Sequence, residues 1–385
     1  MKKQFLYGSI VATVACSVSA FANPSADQRI EKLEREMKQV RVENVAGTAG
    51  AQYGTGQYQI HGGGWFIEGE ALLWHARSAG TDWVLVLNQA AFPQQGHIKS
   101  LDFSWDWGFR VAVGKFFSHD AWDAQIIYTR FHTGDHAKIN RDFTTASGTG
   151  GQEGATGPSG TSLGTFQYKL TYDCVDLELG KSVFPSSRLN LRPHAGIKSL
   201  WMNGKGRLSS ENFIDALDTF LPVAGNVNVK VLDQSKFWGI GPKAGIDLNW
   251  FFSKQLRLRS AVEGSLQWSY FQVIEEELIN VEPVGSPQAS TTTRITANMH
   301  RFVPTARMLM GLSWGDYINN HKNFLEVGID YEVNYFWRAN QQLNQEDTVP
   351  ANLTLSSTQS VRLLFDRISD DVAFQGVTFR VRFDF

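Results

Sequence analysis

The sequence predicts an all-β fold, a transmembrane antiparallel up-and-down β-barrel of about ten strands, within a range of about eight to twelve. Three observations predict it. The chain begins with a secretory signal, continues with long segments in which apolar and polar residues alternate, and ends on an aromatic residue, Phe385. Strict alternation is typical of a strand with one apolar and one polar face, and a barrel that turns its apolar face outward suits a membrane.

The N-terminal residues have the layout of a secretory signal peptide. Lys2 and Lys3 begin it, an apolar stretch follows, and an A-x-A cleavage site ends at Ala22. We expect cleavage after Ala22 and export to the outer membrane of a Gram-negative bacterium. Acylation of Cys16 is an alternative, but Thr13 fits a lipoprotein signal poorly.

Charge and cysteine content exclude several classes of protein. Removal of the signal, which carries two lysines and no acids, shifts the net charge from −2 to −4. This mild negative charge argues against a nucleic-acid partner, which usually requires a basic face. Cys174 is then the one cysteine left, so we expect no internal disulfide. It should act as a small apolar residue, with an intermolecular disulfide as the alternative.

A short amphipathic helix is predicted between the signal and the barrel. Apolar residues repeat there at helical spacing with charges between them, at Ile30, Leu33, Met37 and Val40. The helix is either solvated in the periplasm, or it forms a homo-oligomer or binds a periplasmic partner through residues 27–44. The predicted domains are a signal peptide (1–22), this periplasmic helix (23–45), a Gly-rich linker (46–63) and the transmembrane barrel (64–385).

The alternation is clearest over residues 101–114, where seven apolar side chains take the odd positions and polar or small ones the even positions. Such segments of about 12–18 residues exceed the ~5–6 of globular strands and the ~9–11 that cross a bilayer. Residues 83–87 and 361–365 are candidates for a further strand pair. The ten predicted strands are 65–75, 101–116, 121–132, 165–181, 188–202, 235–251, 255–273, 295–314, 324–338 and 372–385.

Aromatic residues stand at the ends of the apolar stripes, as expected at the two interfaces of a membrane. The predicted aromatic girdle consists of Trp105, Trp107, Trp238, Trp250, Trp268, Trp314, Tyr335 and Trp337. Long polar segments alternate with short turns, and we predict external loops that could bind a host-surface ligand at 76–100, 133–164, 204–234, 274–293 and 339–370.

The polar faces of the predicted strands carry charges of both signs. They form either a lattice of ion pairs that fills a narrow barrel or a charged constriction that selects solutes. Lys169, Asp173, Lys198 and Glu332 are also assigned to this face. The main lumen or constriction candidates are Arg110, Arg192, Lys243, Arg257, Arg259, Glu263, Arg301, Arg307, Glu326, Asp330, Arg380 and Arg382.

The C-terminal strand resembles an outer-membrane assembly signal. An aromatic or β-branched residue occupies every second position, at Val377, Phe379, Val381, Phe383 and Phe385. The resemblance implies recognition by the barrel assembly machinery.

Four features point to one family. They are the helix after the signal, the aromatic opening strand at 64–76, the repeated alternation of apolar and polar residues along the strands, and the ending at 379–385. Together they resemble the major outer membrane protein family of Legionella and chlamydia-related bacteria, over residues 64–385. The resemblance implies abundant surface exposure and, for some members, porin activity. Many chlamydial members are cysteine-rich and cross-linked. This chain keeps only Cys174 after cleavage, so we expect no cross-linked envelope role.

The sequence has no H-E-x-x-H or P-loop pattern, and its G-x-S-x-G match at residues 160–164 lies in a low-complexity Gly- and Ser-rich segment rather than at a strand-to-helix turn, so it does not predict a catalytic serine. His132 and His136 are too few ligands to predict a metal site. We therefore expect no enzymatic activity, cofactor or metal. A porin-like channel for small hydrophilic solutes or ions is the leading function. A structural or surface-binding barrel with a plugged lumen is the alternative, and a barrel hydrolase the third. Outer-membrane lipid and lipopolysaccharide are expected partners.

Overall fold

The computed structural model describes residues 64–78, 81–88, 95–117, 121–140, 144–145, 163–186, 188–211, 225–283, 289–318, 323–348 and 362–385. The predicted signal peptide, the helix over 23–45 and the linker over 46–63 lie outside these ranges. Within them the secondary structure is strand, and a membrane-crossing helix is absent.

The described residues form fourteen strands in chain order. Their bounds are β1 (Gly64–Ser78), β2 (Asp82–Asn88), β3 (Gln95–Ser100), β4 (Trp105–Phe116), β5 (Trp122–Asn140), β6 (Thr144–Thr145), β7 (Leu163–Lys181), β8 (Val183–Ser186), β9 (Leu189–Glu211), β10 (Gly225–Phe251), β11 (Leu256–Pro283), β12 (Ala289–Ile318), β13 (Asn323–Thr348) and β14 (Arg362–Asp384).

Ten of these strands close into an antiparallel barrel, as predicted. Around the ring the order is β1-β4-β5-β7-β9-β10-β11-β12-β13-β14, and β14 pairs back with β1, where Ile67 lies opposite Phe383. Each of the ten strands thus pairs with two neighbours, so the ring has no edge strand, which a bilayer would penalise heavily. The short β8 pairs with β9, and β2, β3 and β6 form a separate three-stranded sheet.

The outer face of the barrel carries an apolar belt between two rows of aromatic side chains. On β10, Trp238 and Trp250 bound the belt, with Ala244 and Ile246 exposed between them. The twelve residue-to-residue steps from Trp238 to Trp250 span about 40 Å of strand, or about 28 Å across a bilayer at a tilt near 45°. The eight predicted girdle residues all lie on this outer face, seven exposed and Tyr335 half-buried.

The belt and the chain ends give the barrel its direction. Gly64 and Phe385 meet at the row that contains Trp65 and Trp250, where short connections also lie. In outer-membrane barrels this end faces the periplasm. We call the row with Trp238 the outer girdle, because it lies at the extracellular interface.

Most of the segments predicted as external loops are strand in the described residues. β10 begins at Gly225 and β11 continues to Pro283, well beyond the outer girdle. The loop prediction was wrong here because the alternation reverses above the membrane. Val229 and Val231 point inward while Lys230 points outward, so the outer face is polar where water replaces lipid.

Two further strand predictions are corrected. β4 begins at Trp105, and Leu101 and Phe103 turn into the barrel, 7% and 3% exposed, although the alternation runs through them without a break. The candidate extra pair does not join the ring as two new strands. Residues 83–87 belong to the separate sheet, and 362–365 form the outer end of β14, paired with β13.

Asp233 gives the extracellular wall a pH dependence. It lies on the inner face of β10, beyond the outer girdle and directly opposite Glu275. Burial and the carboxylates of Glu275 and Glu277 raise the pKa of Asp233 well above its usual range. Stability that is present while Asp233 is protonated is therefore lost as the pH rises through this folded-state pKa.

We expect Asp233→Asn to slow amide hydrogen exchange in the extracellular parts of β10 and β11 at about pH 7.5, because it removes a like-charge cross-strand pair. Below about pH 3, where the carboxyl is protonated in both states, the variant should match the wild type. An effect of equal size at both pH values would contradict this origin.

The belt assignment predicts the cost of a charge on the lipid face. Ala244→Arg places a cation midway between Trp238 and Trp250 and should lower the free energy of unfolding in lipid by ~2–4 kcal/mol. Gln234→Arg, on the same face of β10 but above the outer girdle, should change it by less than about 0.5 kcal/mol. Urea titration followed by heat-modifiable gel mobility measures both, and equal costs would place the belt elsewhere.

Candidate functional site

The lumen contains two layers that differ in chemistry. On β1, Leu72 and Trp74 point inward near the extracellular end, whereas Glu68 and Glu70 point inward nearer the periplasm. The other long strands make the same change from apolar to charged along their inner faces. Within the membrane belt the strand sequences therefore place apolar side chains above charged ones, whereas Asp233 and Glu275 beyond the outer girdle and Phe66 and Phe116 at the periplasmic end depart from this order.

The charged layer consists of nine basic and eleven acidic side chains. Ion pairs with N···O separations of 4.0 Å or less join them, and every barrel strand contributes at least one member. The members are Arg110, Arg192, Lys198, Lys243, Arg257, Arg259, Arg307, Arg380, Arg382, Glu68, Glu70, Asp123, Asp176, Glu178, Asp247, Glu263, Glu326, Asp330, Glu332 and Asp384.

Glu332 accepts hydrogen bonds from four different side chains of the described residues, and its side chain is fully buried. Its carboxylate accepts hydrogen bonds from Arg110 Nη2 at 2.8 Å and from Arg307 Nε at 2.7 Å. Asn334 Nδ2 donates at 3.0 Å and Thr378 Oγ1 at 3.3 Å. Because Arg110 also pairs with Glu70, it ties β1 and β4 to β13.

A second node forms around Lys243, whose side chain has no exposed area. Its Nζ lies 2.5 Å from Glu178, 3.1 Å from Glu263 and 3.4 Å from Asp176. Glu263 also accepts from Lys198 Nζ at 2.6 Å. Buried charges need such partners, and loss of one partner leaves the others uncompensated.

Little free space remains inside the charged layer. A cavity of about 60 Å³ lies among side chains that include Arg192, Asp247 and Arg257. That volume holds a few water molecules and is far below the ~300 Å³ of a small-molecule pocket.

The aromatic layer closes the lumen at the height of the outer girdle. Its rings are Trp74 on β1, Phe131 on β5, Tyr172 on β7, Phe336 on β13 and Phe374 on β14, each no more than 4% exposed. Ring centroids lie 5.4 Å apart for Trp74 and Phe131, and 5.2 Å apart both for Phe131 and Phe374 and for Tyr172 and Phe374. These separations are typical of favourable aromatic pairs.

One of these contacts crosses the whole barrel. The rings of Tyr172 and Phe336 are 5.4 Å apart. β7 and β13 are five strands apart in either direction around the ring of ten, so they face each other. Phe103, from the segment that enters the barrel before β4, packs edge-on against Tyr168 at 5.8 Å and fills the space beside them.

The two layers are joined by hydrogen bonds and by a cation–π contact. Trp74 Nε1 donates to Thr378 Oγ1 at 3.3 Å, and Thr378 in turn donates to Glu332. The Arg110 guanidinium lies 5.5 Å from the Trp74 ring centroid. A substitution in either layer should therefore disturb the contacts of the other layer.

Comparison with known proteins agrees with this barrel. The family described as Legionella pneumophila major outer membrane protein precursor matches residues 61–385. The chain belongs to this family. It is thus an outer-membrane β-barrel protein, and the predicted family is confirmed. No curated protein matches the chain.

Solved structures resemble the chain only in general fold. The outer membrane protease OmpT of Escherichia coli is 9% identical, with coverage of 84% of this chain and 97% of that one and a TM-score of 0.36. The Pseudomonas putida toluene transporter TodX is 8% identical, covering 83% and 89%, with a TM-score of 0.27. A Pseudomonas aeruginosa FadL homologue is 10% identical, covering 89% and 98%, with a TM-score of 0.26.

The structure brings together eleven of the twelve main lumen candidates, all within the charged layer. Arg301 is the exception. It lies nearer the extracellular end, and its Nη1 donates to Ser369 Oγ at 2.7 Å. Lys169 and Asp173 are also placed differently from the prediction, because they point outward. They occupy odd positions of β7, as the lipid-facing Val175 and Leu177 do. The sequence alone could therefore have placed them on the outer face.

Sequence reasoning missed Asp176, Glu178 and the aromatic layer as a unit. The even positions of β7 carry Tyr172 and Cys174, followed by these two acids. The change from apolar to acidic residues along one face of the strand could therefore have been predicted from the sequence. Cys174 itself is buried on the inner face, which keeps its thiol away from a second chain.

Glu332→Gln should destabilise the barrel strongly, because it leaves the buried guanidinium groups of Arg110 and Arg307 without their shared carboxylate. We expect a loss of ~3–5 kcal/mol in the free energy of unfolding, measured by urea titration in lipid. The same chemical change at Glu276, half-buried on the outer face of β11, is the matched control and should cost less than about 0.5 kcal/mol. Similar losses for both variants would mean that Glu332 is not a central node.

Proposed function

We propose that this protein is a closed outer-membrane barrel, a structural and surface-exposed component of the membrane rather than an open porin. The observation that carries the proposal is the contact between the rings of Tyr172 and Phe336, 5.4 Å apart on opposite strands of the ring. A solute cannot pass between side chains in van der Waals contact. Small barrels of this kind are commonly filled by their own side chains.

Opening the aromatic layer would be costly. Burial of a large apolar side chain contributes about 1.5–3 kcal/mol, and Trp74, Phe131, Tyr172, Phe336 and Phe374 would all have to move. Their rings contact one another, so displacing one exposes its neighbours. This supports a lumen that stays closed in the resting protein.

The charged layer supports the same proposal. Its carboxylates and cations are engaged with each other, as Arg192 is with Asp123 at 2.5 Å and with Asp247 at 2.8 Å. An ion that entered would have to break such pairs in a poorly hydrated space. The charged layer is therefore suited to hold the ten strands together as a lattice of ion pairs.

We expect the functional surface of the protein to be its extracellular side. β11 continues for thirteen residues beyond Tyr270 to Pro283, and β12 begins at Ala289, thirteen residues before Phe302 at the outer girdle. The described strands thus form a wall above the membrane, continuous between β11 and β12 and interrupted between β12 and β13, whose pairing ends at Thr305 and Phe336. Such a wall supports binding surfaces, and binding residues are often carried by the loops that a rigid scaffold presents.

A gated channel for small hydrophilic solutes or ions is the second candidate. The polar cavity in the charged layer, lined by groups such as Arg257 and Asp247, favours it. In this alternative the aromatic layer is a hydrophobic gate that must open before ions pass.

Single-channel recording of the folded protein in a planar bilayer tests the proposal. We expect no discrete conductance steps from the wild type. The double variant Tyr172→Ala/Phe336→Ala removes the contact across the lumen and should produce small, brief steps, because the charged layer with its small polar cavity is then the main remaining barrier. The matched control Phe302→Ala/Phe379→Ala truncates two exposed rings on the lipid face and should remain silent.

Conductance steps from the wild type would overturn the closed-barrel proposal. If neutralising Arg257 and Arg259 with Gln then changed the ion selectivity, the gated-channel candidate would replace it. A silent double variant with intact heat-modifiable mobility would mean that the charged layer closes the lumen on its own, which agrees with a closed barrel but contradicts the contact between Tyr172 and Phe336 as the feature that closes it.

A further inference from the structure

The outer wall above the girdle is strongly basic on one side of the barrel. Lys169 on β7, Lys205 and Arg207 on β9 and Lys236 on β10 all point away from the lumen. Lys169 lies directly opposite Lys205 across the β7–β9 pair, and Arg207 lies opposite Gln167. We call these four cations the basic patch.

The basic patch surrounds a recess and is not neutralised by the protein. A recess of about 260 Å³ is lined by Gln167, Lys169, Lys205 and Arg207. In the part of the chain that the structure describes, none of the four cations has a carboxylate oxygen within 4.0 Å. Like charges directly opposite on neighbouring strands are destabilising, so this arrangement favours an anion from outside the protein.

An apolar recess lies next to the basic one, toward the membrane. Its volume is about 330 Å³, and its walls include Trp201, Trp238, Tyr270 and Lys236 at the height of the outer girdle. Asp173 also lines it, but this carboxylate accepts the Tyr128 hydroxyl at 2.8 Å and lies 3.9 Å from Arg130 Nε. The surface thus changes from aromatic to cationic at the level where hydrocarbon gives way to headgroups.

Carboxylates lie among the cations on the opposite side of the barrel, near the same end. There the exposed Arg338 lies beside Asp371, which accepts its backbone N–H at 2.6 Å and the Tyr335 hydroxyl at 2.5 Å. Asp102 is exposed next to His75, at 3.3 Å. The basic patch differs because, among the described residues, no carboxylate lies within 4.0 Å of its cations, which favours a localised anion site over the general lipid contact of a whole barrel.

We propose that the basic patch binds lipopolysaccharide of the outer leaflet, with a lipid phosphate in the recess between Lys169, Lys205 and Arg207. An acyl chain packs against Trp201 and Trp238 below it. Arg and Lys are the side chains that recognise phosphate oxygens, and a guanidinium can bind two of them at once. The site does not depend on whether the lumen conducts, so this proposal and the closed-barrel proposal can fail separately.

Binding of fluorescent lipopolysaccharide to the full-length protein, folded in a non-ionic detergent, tests this site. Lys169→Gln/Lys205→Gln/Arg207→Gln should weaken binding by about tenfold or more, since each cation near an anionic lipid surface contributes. The matched control is Lys115→Gln/Lys181→Gln, which changes two cations that lie over Trp65 and Trp122 at the periplasmic end, 5.2 and 5.5 Å from the ring centroids. It should bind within about twofold of the wild type, as periplasmic cations do not meet the outer leaflet.

Dephosphorylated lipopolysaccharide separates phosphate recognition from acyl-chain contact. It should bind the wild type about as weakly as the triple variant binds the intact lipid, and salt should weaken only the phosphate-dependent part. The proposal is overturned if the triple variant keeps wild-type affinity, or if it loses as much affinity for the dephosphorylated lipid as for the intact one. Heat-modifiable gel mobility verifies that each variant is folded.

Discussion

Closure of only ten strands into a ring brings the inner side chains of facing strands into contact, and the rest of the structure depends on how that space is filled. A bilayer enforces the closure, because an open sheet edge would leave backbone groups unpaired in hydrocarbon. Once the ring is closed, Tyr172 on β7 meets Phe336 on β13 directly across it. The lumen is then an interior to be packed, and its residues must satisfy the rules of a protein core.

The two layers satisfy those rules by different means. Charges enclosed by the barrel are stable only as a paired network. For this reason Glu332 accepts hydrogen bonds from both Arg110 and Arg307, and Lys243 pairs with three carboxylates. The aromatic layer needs no pairing and excludes water at the extracellular end. Trp74 belongs to both, since it stacks among the rings and donates toward the charged layer through Thr378. Charge below and rings above therefore form one interior.

The sequence predicted the ring of ten strands and most of the charged layer because both follow from period-2 alternation inside the membrane. It failed where the environment of the outer face changes. Above the outer girdle the apolar face turns inward, so strand extensions such as β10 from Gly225 were mistaken for loops. Leu101 and Phe103 continue the lipid-facing pattern yet enter the lumen. The contact between Tyr172 and Phe336 depends on which strands face each other, and one-dimensional periodicity carries no such information.

The central claim is that side chains from opposite strands meet and hold each other inside the lumen. A double-mutant cycle with Tyr172→Ala and Phe336→Ala, followed by urea unfolding in lipid, tests it most directly. The account predicts a coupling free energy of about 0.5–1.5 kcal/mol, the value expected for aromatic rings in contact. Additive effects of the two substitutions, within about 0.3 kcal/mol, would mean that the two rings do not interact and that the lumen is not closed in this way.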